Sequence, residues 1–203
     1  YETQGEVLKS LAYTQKALPL CQKAGDKKTE AIARNNLANN YKYLGDIPKS
    51  VEQYLKSRAL YEDAGSPEGV VNALNNLSVL LVESGEFDNV AGYLQEAGDI
   101  AAKHELIRMQ AITYANTAYL QSTQGKIEES LHELRKAIQL VGDKKWISLK
   151  TYLERELGNT LQQLNRLDEA ELHLTKVLEE SERYGMIINL LSAKLYLAQI
   201  NSQ

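Results

Sequence analysis

The sequence predicts an all-α fold, an α-solenoid of antiparallel helix pairs, on three observations. Turn-like motifs recur at a fixed interval. "TQGEV", "YLGDI", "ESGEF", "TQGKI" and "LNRLD" place Gly5, Gly45, Gly85, Gly125 and Asn165 at a spacing of 40 residues. Glycine and asparagine enter the left-handed conformation most easily, and a helix C-terminus often needs it. Small and apolar residues repeat in the same register. Leu37, Leu77, Thr117 and Leu157 stand eight before each mark, and Ala38, Ser78, Ala118 and Gly158 stand seven before. Ala17, Ser57, Ala97, Ala137 and Val177 stand twelve after. Between the marks, apolar residues follow helical spacing, as in Val51, Tyr54 and Leu55. A period in this range is the signature of stacked two-helix units.

The elements follow in order. A first helix is expected near 6–24, with a kink near Pro19, which lacks the N–H that a helix interior uses. Gly25-Asp26 ends it. Helices near 27–44 and 47–64 are divided at Gly45-Asp46, with Pro48 at the start of the second. Ser66-Pro67-Glu68 opens a helix near 67–84: a capping serine, then a proline where no N–H is missed. Helices near 87–103, 106–124 and 127–141 come next. Gly142-Asp143 arrives about three residues early, so the helix before it is expected short and the next, near 144–164, long. Helices near 167–184 and 187–201 complete the chain, divided at Tyr184-Gly185. The repeats then lie near 27–66, 67–104, 105–143 and 144–185, with partial repeats 1–26 and 186–203, in one domain. The half repeats and the initial Tyr1 read as an excerpt of a longer protein.

Composition narrows the function classes. The chain has 203 residues and a formal net charge of -4, with both signs interspersed. No basic face suits nucleic acid and no polybasic patch suits a membrane. No run of apolar residues is long enough to span a bilayer. A cytoplasmic location is expected, with the periplasm left open, because the lone Cys21 suits either compartment.

The stretch "NNLANNYKYLGDIPKSVEQYLKSRALYEDAG" resembles a tetratricopeptide repeat, the TPR family. Leu37-Ala38, Tyr41, Gly45-Asp46, Ser50, Tyr54 and Ser57 answer to the family pattern. The resemblance covers essentially the whole chain and weakens in the fourth repeat, where Asn165 replaces glycine. The 40-residue form is similar to that of Pins-type adaptors and of bacterial regulators. In the latter it precedes histidine-kinase or diguanylate-cyclase domains, or forms peptide-sensing receptors. The resemblance implies a right-handed superhelix (the TPR superhelix) whose first helices line a concave groove, and a protein- or peptide-binding function. Two residues depart from it. Arg34 and Glu154 stand where an aromatic or aliphatic residue is usual.

"RNNLANNY" then becomes one rung of the pattern. Asn36, Asn76 and Asn116 recur nine before the marks, where Glu156 closes the row. Asparagine is a poor helix former, so its recurrence needs a reason. Its amide both donates and accepts, and so matches the backbone of any extended peptide. By resemblance these rows face the groove, with Asn39, Asn72, Asn75, Tyr119, Arg155 and Asn159 assisting. Ile32, Ile112, Tyr152, Lys42 and Tyr43 neighbour them. The alternative keeps the asparagines solvated, or bonded across neighbouring helices to fix the repeat spacing. Lys42 and Arg155 are the groove's clear cations, too few and too far apart for a carboxylate clamp.

Chemistry is sparse elsewhere. His104, His132 and His173 lack placed carboxylates for a metal site and read as surface residues. Glu128-Glu129 and Glu179-Glu180 read as solvated faces, and Trp146 as core filling. No phosphate loop or nucleophile elbow occurs. The chain is therefore expected not to be an enzyme, to need no cofactor or metal, and to bind a protein or peptide, with homo-oligomers left open. The alternative function is the sensory or oligomerising region of a bacterial signalling protein (kinase, cyclase or transcription regulator).

Overall fold

A left-handed residue stands at most of the expected turns. Gly25, Gly45, Gly65, Gly85, Gly125, Gly185 and Asn165 all have φ between +58° and +77°. At the turn after Tyr43, the Asp46 N–H donates to the Tyr41 C=O at 2.9 Å and the Gly45 N–H to the Lys42 C=O at 3.0 Å. These two bonds satisfy carbonyls that a helix end leaves open. The computed structural model describes residues 2–200, with side-chain surroundings from residue 5 onward.

Among the described residues there are ten helices and no strand: α1 (Glu2–Ala24), α2 (Lys27–Tyr43), α3 (Ile47–Asp63), α4 (Pro67–Ser84), α5 (Val90–Lys103), α6 (Ile107–Thr123), α7 (Ile127–Val141), α8 (Ile147–Gln163), α9 (Leu167–Tyr184) and α10 (Ile187–Ile200). The chain divides into two units, Tyr1–Met109 and Gln110–Gln203.

The elements differ from the expected ones at several turns and helix ends. Gly5 lies inside α1, so the first of the five marks is helical. Pro19 lies inside the same helix, as the expected span 6–24 has it. Ser66 holds the N-cap position of α4 without a side-chain hydrogen bond, whereas Asp26 and Asp46 do cap, accepting from the Thr29 and Lys49 N–H groups at 3.0 and 3.3 Å. α8 is not lengthened. Gly142 (φ 48°, ψ -130°) takes the chain out of α7, and the extra residues form the turn before Ile147. Glu105 supplies a left-handed turn (φ 54°) where no glycine marked one, and Asn89 (φ 62°) delays α5 to Val90.

Packing repeats with the sequence. The second helices bury Ser50, Tyr54, Ser57 and Tyr61 in α3, Val90, Leu94, Ala97 and Ala101 in α5, Ser130, Leu134, Ala137 and Val141 in α7, and Ala170, Leu174, Val177 and Ser181 in α9. Each set follows the spacing of one helix face. On the first helices Ala31, Val71, Ala111 and Thr151 are fully enclosed at equivalent positions. Side-chain volumes trade along one row. The large Tyr61 is matched by Gly69, whose Cβ, if present, would stand 2.1 Å from the Tyr61 ring. The smaller Ala101 shares its cluster with Met109, and Val141 with Leu149. Such exchange keeps an interior close-packed while residue identity drifts.

Candidate functional site

Each first helix presents one stripe to solvent. Ile32, Asn36, Asn39 and Tyr43 in α2, Asn72, Asn76 and Val79 in α4, Ile112, Asn116 and Tyr119 in α6, and Tyr152, Glu156 and Asn159 in α8 are half-buried or exposed. Their spacing of four and three residues places each set on one helix face. Seven of the nine residues expected to bind lie on these stripes. Asn75 does not: it is 4% exposed and lies on the packed side of α4. One residue of offset rotates a helical side chain by about 100°, which separates it from Asn76. Arg155 is half-buried beside its stripe.

In the first unit the asparagines divide their work. Asn36 is exposed. The Asn76 amide donates to Asn35 Oδ1 at 3.3 Å, joining α4 to α2. Lys42 meets Glu83 at 2.7 Å across the same pair of helices. Both contacts join residues 41 apart. Asn39 accepts from the Tyr54 hydroxyl at 2.6 Å. That phenol is enclosed, and burial pushes its pKa well above the ordinary value. Asn40 donates to Ser10 at 3.1 Å. A hollow of about 190 Å³ lies at the N-terminal end of this stripe, between Ile32, Asn72, Tyr61 and Met109.

In the second unit aromatic residues take over. The Arg155 guanidinium lies 5.2 Å from the Tyr152 ring centre. It donates to Glu156 Oε1 through Nε and Nη2 at 3.1 and 2.5 Å, and to Asn189 Oδ1 through Nη1 at 2.9 Å. Burial, then the Glu156 charge, pushes the Tyr152 phenol up to about 12, with Arg155 pulling the other way. Between α6 and α8, floored by α7, is a hollow of about 120 Å³. Tyr119, Tyr152, Glu156 and Asn159 form its walls, and Ala115, Ala118, Leu134 and Ser130 line it deeper. Ser130 is fully enclosed and its Oγ has no hydrogen-bond partner.

Arg34 and Glu154, the two departures from the family pattern, are explained by partners 19 residues on. Arg34 Nη1 donates to Gln53 at 3.0 Å, and Nε and Nη2 hold Glu30 at 2.8 and 2.6 Å. Glu154 takes a short hydrogen bond with His173. Burial pushes the Glu154 carboxyl up, but the hydrogen bond and charge of His173, then Lys176 and Lys150, hold it below the usual glutamate value. In the repeats between, these two rows hold Leu74 with Tyr93, and Tyr114 with Glu133. Leu74 and Tyr93 share an apolar cluster. His173 is thus a half-buried partner of Glu154, where the sequence suggests an exposed histidine.

No group of three or more His, Cys, Asp or Glu side chains among the described residues could hold a metal ion. No described helix is long and apolar enough to cross a membrane. A tetratricopeptide repeat profile matches residues 1–63 and 29–103, more than half of the chain once the two spans are joined. The chain belongs to the tetratricopeptide repeat family. No curated protein matches it. Among solved structures, this tetratricopeptide array is similar to aspartyl phosphate phosphatase F from Bacillus subtilis, at 13% identity and TM-score 0.84, covering 95% of this chain and 51% of that one. It is also similar to BtubC from P. vanneervenii (14% identity, TM-score 0.77, 97% and 90% covered). A third is the Rap conjugation gene regulator of plasmid pLS20 in complex with a Phr peptide, at 16% identity and TM-score 0.75, with 90% and 51% covered. The chain spans about half the length of the phosphatase and of the plasmid regulator. At these identities the likeness is one of fold.

Proposed function

We propose that this tetratricopeptide array binds a peptide or extended protein segment along the solvent-facing stripes of its first helices. The observation that carries the reading is the recurrence of Asn36, Asn76 and Asn116 on those stripes, in a helix context that disfavours asparagine. Amides at a fixed repeat match the repeating donors and acceptors of an extended backbone. A peptide complex of a similar fold, the plasmid regulator, supports it. The test is selection from a displayed peptide library by the chain and by its Asn36→Ala, Asn76→Ala, Asn116→Ala triple variant. The chain enriches defined sequences, and the variant loses them while circular dichroism reports undiminished helix. Equal enrichment by both proteins removes the asparagines from the site.

A second reading places the chain in the cytoplasm as the sensory part of a bacterial signalling regulator. It is favoured by the regulators among the similar structures and by the half-length coverage of them. Sequencing the gene around this segment tests it. An adjoining kinase, cyclase or DNA-binding domain supports the reading, and an open reading frame without one counts against it.

A further inference from the structure

Register makes the molecule its own control for the hollow between α6 and α8. The residues beneath it occupy the same repeat positions as residues of α2 and α3. Ala115 stands where Asn35 stands, Tyr119 where Asn39 stands, Ser130 where Ser50 stands, and Leu134 where Tyr54 stands. In the first unit these positions satisfy one another. The Tyr54 ring is enclosed and its hydroxyl bonds Asn39, Asn35 accepts from Asn76, and Ser50 Oγ donates to the Ala38 C=O at 2.8 Å. In the second unit a leucine replaces the tyrosine and an alanine the asparagine. Space remains, about 120 Å³, and Ser130 Oγ is left buried without a partner. A buried hydroxyl without a partner costs free energy in the empty site and rewards whatever completes it.

The lining states what fits. The floor is apolar: Ala115, Ala118 and Leu134. Polar groups stand around it: the Ser130 hydroxyl below, and Ser122, Glu156, Asn159 and Thr160, whose hydroxyl already donates to the Glu156 C=O. Glu156 Oε1 is already held by Arg155, so no uncompensated charge calls for a cation. Burying an unpaired charge on an apolar floor is costly. A cavity of about 150 Å³ admits benzene, so this smaller one suits a side chain of about four heavy atoms. We propose that the hollow between α6 and α8 is an anchor pocket for one neutral, hydrogen-bonding side chain of asparagine or threonine size, seated between Tyr119 and Tyr152 with its polar tip at Ser130 Oγ. The proposal rests on the peptide-binding reading and adds the class of residue that a bound peptide presents to the second unit.

Two measurements test it. In the first, the ring signals of Tyr119 and Tyr152 are followed by NMR while N-acetyl amides of asparagine, threonine, valine and lysine are titrated at millimolar concentration. The asparagine and threonine probes bind, Ser130→Ala weakens them about tenfold toward the valine probe, and Leu134→Tyr, which restores the residue of the filled repeat, abolishes them. Equal response to valine or lysine, or full binding retained in Leu134→Tyr, overturns the pocket. In the second, the library-selected peptides are compared position by position. The chain shows one position restricted to asparagine or threonine, and both variants relax that position alone. Selection of peptides with no such position sinks the pocket and leaves the peptide-binding reading standing. Failure to select any peptide, with the amide preference intact, sinks the peptide-binding reading instead.

Discussion

Tyr54 closes the floor between α2 and α4, and Leu134 leaves the floor between α6 and α8 open. The two triplets of helices share a register and a small-residue row, although the turn before α8 is built differently from the turn before α4, so their floors can be compared position by position. The difference teaches that in a repeat protein the backbone period and the surface chemistry are separable. Small residues at Ala31, Ala111, Ala38 and Ala118 maintain the close approach of helices in both triplets. The rows between them are free to fill, to bond or to remain open. One triplet carries a closed asparagine–tyrosine arrangement, and the other an aromatic rim over an unpartnered hydroxyl.

The largest effect is expected where the shared framework allows no choice. Gly69→Ala puts a methyl group 2.1 Å from the Tyr61 ring, which is itself enclosed. Overpacking costs about 1–3 kcal/mol and sometimes more, and this contact belongs at or above the upper end. Gly158→Ala meets Leu174 at 2.7 Å, a branch tip with more freedom to move, and should cost less. Urea denaturation of both variants checks the order. A neutral Gly69→Ala would mean that α3 and α4 approach less closely than described.

Next comes the interchange of the two floors. Tyr54→Leu makes the first triplet resemble the second and should cost about 2–4 kcal/mol, from the cavity and from the stranded Asn39 amide. The reverse change, Leu134→Tyr, has space waiting for it. It should fall within about 1 kcal/mol of the parent, well below the usual penalty for enlarging a buried leucine. If the two changes cost the same, the floors are not different in kind, and the comparison fails.

The polar pair Glu154–His173 gives a smaller effect with a pH signature. The folded-state pKa of Glu154 lies below its ordinary value, so its contribution is present above the ordinary glutamate range and is lost as pH falls through the depressed value. Glu154→Gln should cost about 1–2 kcal/mol near neutrality. The difference from the parent should shrink in acid, because the parent then loses the same interaction. Denaturation midpoints at neutral and acid pH check the sign. A difference that grows toward acid would exclude the pair as its source.

Much of the fold was legible because it is local. Glycine at 45, 85 and 125, and asparagine at 165, announce left-handed turns through their own conformational freedom. Glu105 takes the same conformation without announcing it, closing the same helix-end bonds, its N–H to the Ala102 C=O and the Leu106 N–H to the Ala101 C=O. The site was legible only to the face. Eleven of the eighteen residues of α4 are buried, so its apolar pattern is too broad to tell Asn75 from Asn76. Arg34 and Glu154 looked misplaced because Gln53 and His173, which help accommodate them, stand 19 residues away on the next helix, although Glu30 holds Arg34 from its own helix. The hollow left no mark on the pattern at all. Leu134 satisfies the same apolar register as Tyr54, Leu94 and Leu174, so nothing in the pattern sets this interval apart.

The smallest effect separates the asparagines themselves. Asn36 is exposed, so Asn36→Ala removes only a poor helix former and should stabilise the chain by up to about 0.5 kcal/mol. Asn76→Ala makes the same propensity gain but breaks the bond to the buried Asn35. An unsatisfied buried amide costs about 1–3 kcal/mol, so the net change should be destabilising. A residue whose removal raises stability is kept for something other than the fold, whereas one whose removal lowers it already has a structural role. Thermal midpoints of the two single variants decide the matter. If both rise, the Asn76–Asn35 bond contributes nothing and the row belongs wholly to binding. If both fall, Asn36 also supports the fold, and the binding reading must rest on the other residues of the stripes.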